Sequence, residues 1–282
     1  AVKQWKYPPF FVNLAHHFWN QLSGHAASFK PPSNTILTQE KGKNLGINSL
    51  GWRVIFELLT RENGRRMLID IKHLSIKSRQ EYYRFVIGYN RLNPSDNIPV
   101  ICSHTGVSGF DTFRDASKQK DRIKKMRDSK FNNWTLNLCN DDIRVIYRTD
   151  GLIGIMLDKG LLASAFLLKK IKKLSIEEQQ QAFLKIIWDN VFQIIKTIKH
   201  KSAWNIIALG SDYDGIITHI DFYPNFSSMP LLKQQLIEFL EKTNYKQKYW
   251  YGYTPNELVH KMMTDNAMQF MAKYYSKKYL EG

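Results

Sequence analysis

The segment IIALGSDYDG (206–215) is apolar from Ile206 to Leu209 and then places two carboxylates, Asp212 and Asp214, at its exit. Three other apolar runs close on a histidine: FFVNLAH on His16, LIDIKH on His73 and PVICSH on His104. Imidazole nitrogens and a carboxylate that meet at one rim suit a zinc-type centre that activates water. Each ending also has an ordinary reading. A strand-end His commonly hydrogen-bonds to its surroundings, and a strand-exit Asp commonly caps the helix that follows. The separations are loose and no HExxH signature is present. Residue types alone therefore reach a metallohydrolase class and no further.

The elements that must position these groups are legible in the hydrophobic pattern. Apolar runs at 10–16, 66–73, 98–104, 151–158 and 205–212 have the length and continuity of strands buried on both faces. Amphipathic segments between them predict helices over 49–63, 75–90, 175–201, 229–242 and 254–275. Ser49 and Ser75 are read as caps, Ser175 with Glu178 as a capping box, and Pro255 as a first helical residue. Strand-then-helix alternation predicts a parallel α/β architecture. In a barrel of parallel strands the carboxyl ends share one rim, and that rim is where sites form. The polar stretch 113–134 interrupts the alternation and reads as an excursion on one face.

With 282 residues the chain has room for one large domain or two ordinary ones. No run of 18 apolar residues exists, so no membrane span is expected, and the opening AVKQWKYPPF has no signal-peptide core. A soluble protein is expected. The start without Met, close to a strand-like run, predicts a processed or truncated amino end. Cys102 and Cys139 are too few for a disulfide framework. The net charge is +16, from 41 Lys and Arg against 25 Asp and Glu. Its clusters at 169–173, 196–201 and 273–278 alternate with apolar residues in helical patterns, which reads as solvated helix faces. No RNP-like, zinc-finger or helix-turn-helix signature accompanies them, so no nucleic-acid partner is expected.

Taken in order, these motifs resemble the membrane (renal) dipeptidase family of the amidohydrolase superfamily, from about residue 8 to the carboxyl end. LIDIKHLS resembles the family's IDLSHVS strand, PVICSHTGVSG its PVIxSHS strand, and LGSDYDG its GSDFDG. LAHHFWN resembles its LTHxxxN strand, DFYPNFSSMPLLKQQL its YP-containing loop and helix, and HKMMTDNAMQFM, with Asn266, its terminal helix. The resemblance implies a TIM-type (β/α)8 barrel of which residues 1–282 form the C-terminal portion, strands 4 to 8 with insertions. It implies zinc-dependent hydrolysis of a small dipeptide-like substrate, with two ions in the complete barrel. His73, His104 and Asp212 are the implied metal ligands, Asp212 also the proton carrier and His16 the substrate contact, with His17 beside it as the alternative. Asp214 is read as structural.

Two departures stand beside this. The family's His-x-Asp strand and bridging Glu have no counterpart in the chain, so a preceding segment or a second polypeptide is expected to supply them. The family's substrate-binding Arg is also unmatched, because WTLNLCNDD offers Leu136 or Asn137 at that place. A metal-depleted barrel retained as a binding or scaffold protein is therefore the alternative. A homodimer stays open.

Overall fold

The five apolar runs form five strands: β1 (Phe11–Asn13), β2 (Leu68–Asp70), β3 (Ile101–Thr105), β4 (Leu152–Ile155) and β5 (Ile207–Leu209). The longer helices between and after them are α1 (Ser49–Leu59), α2 (Ile76–Leu92), α3 (Asn140–Arg148), α4 (Ala165–Ile171), α5 (Ile176–Ile198) and α6 (Met229–Thr243). α7 (Pro255–His260), α8 (Asn266–Tyr274) and α9 (Lys277–Glu281) complete the set. The computed structural model describes residues 2–29, 37–118 and 129–282. Part of the predicted excursion at 113–134 lies outside the described residues. Where it is described it opens with a short helix, Phe113–Ser117, capped by Thr112.

The chain divides into two compact units. The first comprises Ala1–Ser103, Arg148–Leu152 and Met268–Gly282. Within it β1 pairs in parallel with β2, Phe11 opposite Leu68 through to Asn13 opposite Asp70. β2 pairs in parallel with β3 at Asp70 and Ile101, and the amide of Leu152 donates to the carbonyl of Val100 at 3.1 Å. Leu68, Ile69 and Ile101 are buried, as continuous apolar runs require. β1, which ends the strand order, is only half-buried.

α1 begins one residue earlier in its capping than expected. Asn48, with extended backbone, is the cap and accepts from the amide of Gly51, so Ser49 is already helical. Asn and Ser serve this position equally well, and the sequence offers both side by side. Ser75 caps α2 as predicted, accepting from Ser78. Beneath α2 the Arg66 guanidinium makes a two-pronged bond to Asp96, at 2.8 and 2.7 Å, while Arg61 and Tyr89 reach the same carboxylate. These hydrogen bonds hold the Asp96 carboxyl well below the usual carboxylate range although burial opposes it.

The second unit comprises His104–Tyr147 and Ile153–Ala267. Here the amide of Met156 donates to Thr105 at 3.1 Å, and β4 pairs in parallel with β5 from Ile153 opposite Ile207 to Ile155 opposite Leu209. α5 dominates the core. Its capping box is present in both directions between Ser175 and Glu178, and Lys199 ends it in the left-handed conformation. Phe183, Leu184, Ile187, Trp188, Val191 and Phe192 are buried along it, each contributing roughly 1.5–3 kcal/mol of apolar burial. Trp188, Phe192 and Trp204 pack with ring centroids 5.6 to 6.4 Å apart.

The helical pattern over 254–275 is interrupted. Thr254 and Glu257 form a capping box with Pro255 at the start of α7, then Lys261–Asp265 is one π-helical stretch before α8. Asn266, which follows the π-stretch, is buried and donates to the carbonyls of Trp204 and Ile207 at 2.6 and 2.7 Å. It thereby ties the terminal helix to the start of β5.

Candidate functional site

In the first unit the chain leaves β1 through Leu14 and Ala15, both buried, and turns out at His16 and His17. Asn20 holds that turn, donating to Leu14 at 2.6 Å and accepting from Leu22 at 3.0 Å, so its side chain is spent on backbone. The His16 ring centroid lies 4.3 Å from that of His73 and 4.0 Å from that of His17, with His17 and His73 5.1 Å apart. The structure thus brings together His16 and His73, with His17 as a third imidazole.

His16 and His17 occupy different environments. His16 is exposed. His17 is half-buried, stacks on Phe29 at 4.5 Å and places Nδ1 2.7 Å from the hydroxyl of Ser28, which also accepts from Gln39. Burial, then the charges of His16, His25 and Lys72, lowers the His17 pKa to about 4. His17 should therefore be neutral throughout the physiological range. NMR titration is expected to place its midpoint near 4, and a midpoint near the ordinary 6.5 contradicts this environment. Of the two, His16 is the more exposed.

His73 is held at the end of β2 by Asp70, a residue that the sequence reading passed over. Asp70 is fully buried; one carboxylate oxygen accepts from the amides of Lys72 and Ser103, and the other from Asn13. It pins the carboxyl ends of β1, β2 and β3 to one another. Burial pushes its carboxyl up, against these hydrogen bonds. An acid inside the buried run LIDIKH was the available signal. His73 itself has φ +69° and is buried, and its carbonyl accepts from Ala26 at 2.8 Å.

In the second unit His104, on β3, and Asp212, beyond β5, come together. His104 Nε2 lies 3.7 Å from Asp212 Oδ2, with 15% and 28% of the two side chains exposed. Asp212 has φ +59° and Asp214 has φ +65°. Left-handed backbone is uncommon outside glycine and collects at functional sites. A side chain at Gly215 would begin 2.8 Å from Asp212 Oδ1, so the glycine of GSDYDG leaves that carboxylate its room. Tyr213 anchors the turn from the other side, donating to Tyr223 at 2.7 Å.

Asp158, at the end of the predicted fourth run, takes the ordinary role. It caps the helix that follows, accepting from Gly160 and Leu161, and also accepts from Thr218. The contrast with Asp212 is one of backbone: Asp158 has φ −82° and Asp212 the left-handed value.

The His104–Asp212 spacing is near that of two ligands of one ion, since donors at ~2.0–2.2 Å around tetrahedral zinc lie ~3.4 Å apart. The pair fits a metal as two ligands. Among the described residues no group of three or more His, Cys, Asp or Glu side chains is arranged to hold an ion. The three imidazoles of the first unit pack ring against ring, with centroids 4.0 to 5.1 Å apart.

At the place of the expected Arg, Leu136 and Asn137 are both buried. Asn137 donates to Asn132 and Leu161 at 2.8 and 2.7 Å and accepts from Gly106 at 3.2 Å. It clamps loops together and offers no cation.

The fold has relatives of known structure. A metallopeptidase from Rhodobacter sphaeroides, solved with a phosphinate mimic of the dipeptide L-Ala-D-Ala, matches with a TM-score of 0.55 at 16% identity over 89% of this chain and 52% of its own. The dipeptidase AC, a metallopeptidase of family M19, matches at 0.55 and 15% over 92% and 55%. The probable dipeptidase PvdM from Pseudomonas aeruginosa matches at 0.50 and 14% over 89% and 58%. The chain spans about half the length of these structures. At the sequence level no protein-family profile matches, and neither does any curated protein. The fold is α/β with parallel strands, that of part of a TIM-type barrel, as the alternation of strands and helices predicts. Among the described residues no helix is long and apolar enough to cross a membrane.

Proposed function

We propose that this chain is part of a metal-dependent hydrolase that cleaves a dipeptide-like amide bond. The observation that carries the reading is the pairing of His104 with Asp212, 3.7 Å apart, with Asp212 in left-handed backbone. The likeness in fold to metallopeptidases, one of them solved with a dipeptide mimic, supports it. Zinc is the proposed metal, two ions in the complete centre, with His104 and Asp212 the proposed ligands in the second unit and His73 a proposed ligand in the first. Zinc held by these residues would supply acidified water and a polarised carbonyl. Asp212 takes the proton of the attacking water and passes it to the leaving amine. His16 donates a hydrogen bond to the oxyanion that develops on the scissile carbonyl. The remaining ligands are proposed to come from outside these 282 residues, on a preceding segment or a second polypeptide.

One observation favours a second reading, a metal-depleted barrel that binds without catalysis. Asn137, where a carboxylate-binding Arg is expected, is committed to three backbone groups. Elemental analysis of the protein isolated from its native source, with amine release from a panel of dipeptides, separates the two. Tightly held zinc, with hydrolysis lost to a chelator and restored by zinc, is the expected result. Protein that retains no metal and releases no amine overturns the hydrolase reading.

A further inference from the structure

The corner between α4 and α5 breaks the rule for a solvated helix face. The twelve residues AFLLKKIKKLSI (165–176) contain Lys169, Lys170, Lys172 and Lys173 and no acid. All four lysines are exposed. A solvated face keeps its lysines outside and its apolar residues inside. Here Phe166 is 50% exposed, Leu174 40% and Ile176 70%, interleaved with those lysines. Only Ile171 is buried.

The corner is also held in place. Ser164 caps α4 through the amide of Leu167, and Ser175 caps α5 through that of Glu178. The amide of Leu174 donates to Ile171 at 2.9 Å, closing the turn between the helices. The Lys170 ammonium sits 4.4 Å over the Phe166 ring, so cation and apolar ring are presented as one unit. Leu168, Ile171, Lys172 and Phe183 line a cavity of about 590 Å³ that Lys159, Gln179 and Asp221 also border.

We propose that this corner docks the protein on the surface of an anionic phospholipid bilayer. The four lysines outnumber the neighbouring acids Glu177 and Glu178 and complement acidic headgroups, and exposed Phe166, Leu174 and Ile176 reach the apolar boundary beneath them. The apolar residues decide between lipid and nucleic acid. Leu174 and Ile176 offer neither hydrogen bonds nor a stacking surface to a polynucleotide, whereas a bilayer takes both up. The positive net charge of the chain draws it to the same surface from a distance.

Cosedimentation of the full chain with vesicles tests this. Vesicles containing phosphatidylserine are expected to bind at least ~10-fold more protein than phosphatidylcholine alone, and about 0.5 M salt should remove most of the difference. Two variants probe the two halves separately: the charge reversal K169E/K170E/K172E/K173E and the apolar truncation F166S/I176S. Each is expected to lower the bound fraction ~10-fold or more, with its melting curve recorded to show that it folds. Equal binding to both vesicle types overturns the proposal. So does retention on heparin or RNA without vesicle binding, or an apolar truncation that leaves vesicle binding intact. A shift of F166S/I176S from dimer to monomer in gel filtration, with vesicle binding unchanged, assigns the corner to a second copy of the chain and also overturns it.

Discussion

On the proposed function, Asp212→Asn is expected to lower kcat/KM for dipeptide hydrolysis at least ~100-fold, the lower end of what a positioned acid–base group contributes. The substitution keeps the shape of the side chain and removes the carboxylate proposed both to bind metal and to accept the proton, so zinc content is measured beside activity to separate the two roles. Asn also tolerates the left-handed backbone at φ +59°, so the turn and its contact with Gly215 survive. The loss should fall on kcat, because proton transfer is made in the transition state and not in substrate binding. Steady-state kinetics beside a thermal melt checks this, with the midpoint expected within about 3 °C of the parent. A variant that retains full kcat would exclude Asp212 as the proton carrier. Asp214→Asn, two residues on, is the internal control and should leave kcat nearly unchanged.

The second large effect is on stability. Asp189 lies in the middle of α5 and is 3% exposed among apolar neighbours. Its carboxylate accepts from Lys130 at 2.6 Å, Lys185 at 2.9 Å, Lys246 at 2.5 Å and the hydroxyl of Tyr245 at 2.7 Å. Burial alone would raise this carboxyl, but the four hydrogen bonds hold it well below the usual range. Asp189→Ala leaves three ammonium groups facing one another with no counter-charge. Removing one partner of a buried pair costs about 3–5 kcal/mol. Lys130 and Lys185 keep 39% and 48% of their side chains in water and can turn outward, which places the loss near about 3 kcal/mol. Urea unfolding of the full chain would measure it, and a loss below about 1 kcal/mol would mean that the cluster is held by its surroundings instead.

The same cluster sets a pH signature. Asp189 has a folded pKa below its unfolded one, so its contribution is present above the ordinary carboxylate range and is lost as pH falls through that range and below it. Lys246 acts in the opposite region. Burial, against its hydrogen bond to Asp189, lowers its pKa from 10.5 to about 8. Between about 8 and 10.5 the unfolded chain therefore holds more protons at this site, and the Lys246 contribution to stability rises with pH there.

How much of this was legible in the sequence depends on the range of the interaction. All five strands could be read because parallel strands buried on both faces leave continuous apolar runs, and each run is local. The capping box at Ser175 and Glu178 is likewise a matter of three residues. The cap of α1 was displaced because Asn48 and Ser49 compete for one position, and backbone extension at residue 48 decides it. The π-stretch at Lys261–Asp265 has no local signal; it lies against β5, where Asn266 reaches Ile207. The site shows the same division. His16, His73, His104 and Asp212 could be found as strand endings. The left-handed backbone at His73 and Asp212, the Asp70 tie across three strands and the lysines around Asp189 could not. The carboxylate clusters depend largely on partners far along the chain, such as Ser103 for Asp70, 33 positions away, and Lys130 for Asp189, 59 positions away.

Asn137 also bears on how this protein can change over generations. Its one amide joins Gly106, which follows β3, to Asn132 and to Leu161 beyond β4. A single-step exchange to Arg would strand three backbone groups and force a larger cation into a place only 1% exposed. Each buried group left unsatisfied costs about 1–3 kcal/mol, a large part of the stability of an ordinary domain. Accepting a cation at this position therefore requires the loops after β3 and β4 to be rebuilt first, so the position is fixed by the scaffold and not open to change one residue at a time.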